Sequence, residues 1–194
     1  MIYVILDNGH GEDTPGKCSP DKRLYEWSWN RDIVKRISAK LNELNIPNEI
    51  LVTEDFDVSL NERVKRANKM SLMAKKQGLE PILISIHINA SGNGGWKSAN
   101  GWSVWVSNNA SIKSKEFAQI LYYEAEELGL KGNRSTPKER YWTANFYILK
   151  NTSCPAVLTE NMFQDNKDDV EFLLSEEGKN KITELHIEAI KKII

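Results

Sequence analysis

The sequence predicts a single α/β domain in which a largely parallel sheet is covered by helices. Apolar periodicity switches several times between short strand-like runs and helix-like stretches, which is the sequence form of βαβ units. Three of the strand-like runs, IYVILDNGHG, PILISIHINA and PAVLTEN, also end on a group able to bind or serve a metal: His10, His87 and Glu160. In an open α/β sheet, ligands and catalytic groups collect outside the carboxyl ends of the strands. The chain has 3 histidines, and two of them stand at such ends. Its 194 residues suit one domain with a core that needs no disulfide or metal staple.

Taken in order, the first strand is expected at about residues 2–6, followed by a loop over 8–23. Ile33, Ile37, Leu41 and Leu44 then recur on one helical face. A second strand is expected at 48–53, and Leu60, Val64, Ala67 and Ser71 mark a helix opened by the capping box of Ser59 with Glu62. Strands at 81–87 and 102–107 enclose a Gly- and Asn-rich loop from Asn89 to Asn100. Phe117, Ile120, Leu121, Ala125 and Leu128 mark a third helix, with Gly129 placed to end it. After a loop over 131–145, strands are expected at 146–149 and 155–160, with Asn161, Phe163 and Asn166 in an irregular turn. Ile182, Leu185, Ala189 and Ile193 mark the last helix, and no internal repeat or linker interrupts the chain. The three loops are expected on the same rim as His10 and His87.

Composition narrows the partners. With 26 Lys plus Arg against 27 Asp plus Glu, the net charge of −1 gives no electrostatic reason to expect nucleic acid or an anionic membrane. Cys18 and Cys154 lie far apart and in no CxxC arrangement, so neither a disulfide framework nor a thiolate zinc site is indicated. No apolar run reaches the roughly 18 residues needed to span a bilayer. The opening MIYVILD runs straight into a strand without a basic region or cleavage site, so no export signal is expected in it.

A catalytic zinc site commonly takes three protein ligands from His, Asp or Glu and leaves one position for water. His10 and His87 supply two. Glu26 is the candidate third, because it opens the first long helix and a short loop would bring it over the strand end carrying His10; taken alone, a Glu in a first helical turn is more often there for the helix dipole. Glu160 ends the apolar run from Pro155 to Leu158, where an unpaired carboxylate is costly unless it is paired, metal-bound or used. His186, spaced with Ile182 and Ile190 on the last helix, is expected to edge the core.

A nucleotide-binding reading starts from Gly11-Glu-Asp-Thr-Pro-Gly16-Lys17, which nearly spells a P-loop. It fails where Cys18 replaces the magnesium-holding hydroxyl and where Pro20 and Asp21 interrupt the helix that should follow.

Four blocks together resemble a known family. DNGHG around His10, EWSWN from Glu26, SIHINA around His87 and PAVLTENMFQDN around Glu160 look like the signature blocks of zinc-dependent N-acetylmuramoyl-L-alanine amidases of the amidase 3 type, in order and at compatible spacing. The SLNERVKRAN segment from Ser59 to Asn68 is similar to the family's second helix. The resemblance implies a twisted, mostly parallel β-sheet flanked by α-helices on both faces, and one catalytic domain over residues 1–194. It implies Zn2+ held by His10, Glu26 and His87, with Glu160 as the catalytic carboxylate. The bond implied is the amide between the lactyl group of N-acetylmuramic acid and L-alanine in peptidoglycan. Two positions depart from the pattern: Asn8 stands where the family commonly has Pro, and Met162 where Gly often precedes Phe163.

Substrate contacts are expected from the loops. Lys131, Arg134, Lys138 and Arg140, with Tyr141, Trp142 and Phe146, form a segment suited to a peptide bearing carboxylates. Asn89 and Trp102 are further candidates, and Trp96 and Trp102 would either stack on substrate or close the core. The metal residues serve equally a peptidoglycan endopeptidase or a sugar deacetylase. A non-catalytic wall-binding domain would be expected to have lost Glu160 or a ligand, and all four are present. Action on the bacterial cell wall is expected, either as an endolysin released by another protein or as a secreted enzyme whose exporting segment is absent from the chain.

Overall fold

The computed structural model describes residues 1–92 and 94–194. The described residues form six strands, β1 (Ile2–Asn8), β2 (Asn48–Ile50), β3 (Glu80–Asn89), β4 (Ser103–Val106), β5 (Trp142–Thr143) and β6 (Ala156–Phe163). Their helices are α1 (Glu26–Glu43), α2 (Leu60–Lys76), α3 (Ile112–Glu127), α4 (Tyr147–Asn151), α5 (Lys167–Leu174) and α6 (Glu176–Lys191). The strands make one sheet in the order β2-β1-β3-β6-β4-β5. Its β2-β1-β3-β6 part is parallel, β4 runs antiparallel to β6, and β5 is parallel to β4. The fold is therefore the mostly parallel α/β domain expected.

Alternation along the strands divides the core between the two faces of the sheet. Val4, Leu6, Ile84, Ile86 and Val157 face Ile33, Val34, Ile37, Phe117, Leu121, Leu185 and Ile190 of α1, α3 and α6. Ile5, Leu83, Ala156 and Leu158 face Val64, Ala67, Ile148 and Leu149 of α2 and α4. Each buried Leu or Ile contributes roughly 1.5–3 kcal/mol of transfer free energy, so helices on both faces are needed to shield central strands apolar on both sides.

The helix ends follow their sequence signals. Ser59 accepts a hydrogen bond from Glu62 N, as the capping box requires. Gly129 ends α3 at φ 74°, and Leu130 N and Gly129 N bond back to Ala125 O and Glu126 O in a Schellman closure.

Two expectations need correction, and one helix was not anticipated. Residues 146–149 are not a strand: Ile148 and Leu149 are both buried in one cluster, which adjacent residues achieve on a helix and not across a pleat. The pairing strand there is the short β5 upstream. β6 continues through Asn161 to Phe163 where a turn was expected, and α5 was not anticipated at all, although Asn166 caps it by accepting from Asp168 N and Asp169 N. Among the described residues, no helix is long and apolar enough to cross a membrane.

Candidate active site

The loop after β1 is shaped to present His10. His10 has φ 64°, a left-handed conformation that costs an ordinary residue roughly 1–2 kcal/mol. Two guanidinium groups hold it there: Arg31 Nη1 donates to the His10 carbonyl at 3.1 Å, and Arg63 Nη2 at 3.0 Å. Arg63 also donates to Asp7 Oδ1 at 2.7 Å and to the Asn8 carbonyl at 2.6 Å, tying α2 to the end of β1. The flanking glycines are required by close approach, since a Cβ on Gly9 would overlap the His87 ring and one on Gly11 would overlap the Phe56–Asp57 backbone.

Glu26 arrives from the other side. Cys18 and Tyr25 pair across the loop, Glu26 N donates to Lys17 O at 2.9 Å, and α1 begins at once. This start, eight residues or more beyond the P-loop-like segment, leaves that segment without the helix a phosphate site needs. Glu26 is 1% exposed. Its Oε1 accepts from Ile88 N at 3.0 Å and lies 3.2 Å from His87 Nδ1 and 3.4 Å from His10 Nε2. The candidate ligand atoms of His10, Glu26 and His87 all lie within 4.8 Å of one another.

The electrostatics suit a cation. Burial pushes the Glu26 carboxyl up, but hydrogen bonding and charge from His10 and His87 outweigh it and hold the group well below the usual carboxylate range. Burial pushes the His87 ring down, and the bond and charge of Glu26 prevail and raise it. Glu26 Oε2 is buried without a hydrogen-bond partner; the nearest cation, Lys17 Nζ, is 3.8 Å away. Two imidazoles and an orphaned carboxylate oxygen form a donor set that fits zinc.

Glu160 stands beside this triad. It is the register partner of His87 on β6, and its Oε2 is also buried without a hydrogen-bond partner. Burial, reinforced by the negative charge of Glu26, pushes the carboxyl up to about 7, against opposing charge from His87, Lys17 and Arg134. A carboxyl poised near neutrality is suited to taking and returning a proton. Just beyond it the pairing slips between His87 and Asn89, so that β6 bulges, and Met162 takes up the slack at φ 65°. A Gly there, as the resemblance expects, would adopt this left-handed φ without strain. Asn161 Nδ2 donates to the His87 carbonyl at 2.9 Å and locks the bulge to β3.

The expected substrate contacts fare unequally. Trp102 is 1% exposed and its Nε1 donates to Asn161 Oδ1 at 2.7 Å, so it closes the core and does not face the cleft. Arg140 is turned to α3, paired with Glu126 and lying over Tyr122 and Tyr123. Asn89 braces the bulge through its carbonyl, which accepts from Gln164 N, while its side chain accepts from Ala90 N. Arg134 alone of these reaches the Glu160 edge of the sheet, donating from Nη1 to Ser103 Oγ at 3.4 Å, and Ser103 is the antiparallel partner of Glu160. Asn8 is buried in β1 and donates from Nδ2 to Val52 O at 3.0 Å. His186 is fully buried, between Ile182 O at 2.7 Å and Thr159 Oγ1 at 3.1 Å, as a core residue.

Sequence reasoning missed the residues that hold the site. Arg31 and Arg63 look like ordinary helix-surface cations. Asp165, whose Oδ2 accepts from Ser91 N, Ser91 Oγ and Gly92 N, looks like a solvated turn acid. The similarity of SLNERVKRAN to a family block was the one signal that singled out the segment of Arg63.

An α/β sheet carrying a His-Glu-His cluster at its carboxyl edge, with a near-neutral carboxyl alongside, offers the groups that metal-assisted hydrolysis uses. The profile of the N-acetylmuramoyl-L-alanine amidase family, Amidase_3, matches residues 4–192, and the chain belongs to that family. An endolysin of Bacillus phage SPP1 is 32% identical over 197 residues, covering 98% of this chain and 65% of its own length. The amidase LytC of Bacillus subtilis is 30% identical over 179 residues, covering 92% of this chain and 32% of its own. The chain thus spans less than two thirds of these curated relatives. The crystal structure of an N-acetylmuramoyl-L-alanine amidase from Clostridium difficile 630 superposes with a TM-score of 0.81 at 27% identity, covering 98% of this chain and 96% of that one.

Proposed function

We propose that the chain is a catalytic domain that cleaves the amide between the lactyl group of N-acetylmuramic acid and L-alanine in peptidoglycan, with His10, Glu26 and His87 holding zinc. The observation that carries this reading is the pairing of His87 with Glu160, which puts an unpartnered, near-neutral carboxyl beside the ligand triad. Family membership over residues 4–192 selects the bond, and zinc dependence is general in the family. Zinc held there would supply Lewis acidity and make water a stronger acid near neutral pH.

Glu160 accepts the proton of the attacking water on its carboxylate and returns it to the departing alanine nitrogen. Glu26, buried and charged, and the two imidazoles keep their ligand atoms gathered; Arg31 and Arg63 hold the His10 backbone in its left-handed turn. The site of action is the bacterial cell wall, with peptidoglycan as the partner. Purified sacculi treated with the zinc-loaded protein should release intact stem peptides with a new free alanine amine and no new reducing sugar ends. Fragments cut within the peptide, or release of acetate, would replace this reading by an endopeptidase or a deacetylase at the same metal site.

A further inference from the structure

We propose that Arg134 is a specificity-determining residue that binds a carboxylate on the substrate's peptide, close after the bond to be cut, so that acidic stem peptides are favoured over their carboxamides. The inference rests on the hydrolysis proposed above and names the peptide chemistry recognised at the same site.

Arg134 belongs to the segment between α3 and β5, and β4 links it to the catalytic edge: its Nη1 reaches Ser103 Oγ at 3.4 Å, and Ser103 pairs with Glu160. Its guanidinium is braced by aromatic rings, with its central carbon 5.0 Å from the Trp142 ring centroid, 5.7 Å from Trp105 and 5.8 Å from Phe163. Rings hold a guanidinium by its charge and its flat faces and offer no acceptor to its N–H groups.

Those groups are largely unused. Among the described residues, Arg134 makes one side-chain hydrogen bond, the long one to Ser103, and no ion pair. Its loop neighbours Lys131 and Arg140 are both paired with Glu126. A guanidinium carries five N–H donors in a planar fork whose geometry matches a carboxylate in two parallel bonds. A half-buried, ring-braced cation with a free fork beside the catalytic carboxyl is thus a preformed carboxylate receptor. The ligand comes from the peptide, because the lactyl carboxyl of the sugar is already consumed in the scissile amide. A carboxamide offers one acceptor oxygen and turns an N–H donor toward the fork, so it cannot make both bonds.

The test uses two muramoyl peptides that differ only in a carboxylate or a carboxamide on the residue following alanine. Steady-state rates are measured for the zinc-loaded wild type, Arg134→Gln and Arg134→Lys. Binding of the same peptides is measured by calorimetry on Glu160→Gln with and without Arg134→Gln. Hydrogen bonds to charged groups suggest a preference of about 10- to 100-fold for the acid. It should be expressed in KM more than kcat, fall to about one in Arg134→Gln, and survive only in part in Arg134→Lys. Because both peptides are read on the same variant, partial misfolding cancels from the ratio. Equal handling of the two peptides by the wild type, or an undiminished preference in Arg134→Gln, would overturn the proposal. If the wild type cuts neither peptide at the muramoyl amide, the bond assignment fails. The calorimetric preference then decides for Arg134 alone: its loss with Arg134→Gln upholds the receptor, and its absence from the outset overturns it.

Discussion

His87 and Glu160 are register partners on the adjacent parallel strands β3 and β6, one side chain in the candidate metal triad and the other the near-neutral carboxyl beside it. Paired residues on parallel strands project from the same face, so sheet geometry alone places the Glu160 carboxyl next to the His87 imidazole. The spacing does not depend on a mobile loop.

The first prediction concerns the ligands. Replacing His10 or His87 by Ala should abolish zinc retention and hydrolysis together, because two ligands do not hold a catalytic zinc. Elemental analysis after dialysis checks this; a variant that keeps stoichiometric zinc removes that residue from the site.

Arg63 provides a second. It is buried and serves Asp7, the Asn8 carbonyl, Val58 O and the His10 carbonyl at once. Arg63→Gln should destabilise the fold by about 3–5 kcal/mol, the cost of leaving Asp7 without its buried partner. Zinc affinity should fall further than for a surface Arg→Gln of equal stability loss, because the His10 loop loses its anchor. Urea unfolding with zinc titration separates the two; loss of stability with unchanged affinity would show that Arg31 suffices to hold His10.

Much of this architecture was legible in the sequence. The histidines at strand ends, the capping box at Ser59 and the closure at Gly129 are local patterns with local causes, and each is where the sequence placed it. The helix at Tyr147–Asn151 was missed because FYIL is a short continuous apolar run, which periodicity alone does not tell from a strand, and the burial of both Ile148 and Leu149 against α2 is a tertiary fact. Trp102 and Arg140 were misplaced for the same reason. A sequence shows an aromatic or a cation near a rim, but the Asn161 amide and the Glu126 carboxylate that turn them away come from distant segments. The left-handed Met162 was visible only as a departure from a family pattern, without its cause.

Met162 supports a third prediction. Met162→Gly would relieve roughly 1–2 kcal/mol of left-handed strain, yet it removes a buried side chain whose truncation to Ala alone typically costs about 2–5 kcal/mol. The loss should win, with a net destabilisation of about 2 kcal/mol by chemical denaturation. An increase in stability would show that bulge strain dominates.

His186 sets a fourth, in pH. Burial pushes its ring down to about 4, from 6.5 when unfolded, so the unfolded chain binds the extra proton between those values. The neutral ring's contribution is therefore full above pH 6.5 and is lost as pH falls towards 4. The stability gap between wild type and His186→Gln should narrow by about 2 kcal/mol on going from pH 7 to pH 4.5. A gap that stays constant with pH would mean that His186 is not held neutral in the fold.

Glu160→Gln tests the central claim most directly, with zinc content, thermal unfolding and the rate of stem-peptide release measured on the same preparation. The amide keeps the shape but cannot accept the proton of the attacking water. Zinc should remain stoichiometric and unfolding unchanged or slightly raised, since a half-buried carboxyl whose Oε2 has no hydrogen-bond partner is removed, while the rate falls by about 10²- to 10⁴-fold. A variant that retains more than about a tenth of the wild-type rate would show that the carboxyl opposite His87 is not the group that moves the proton.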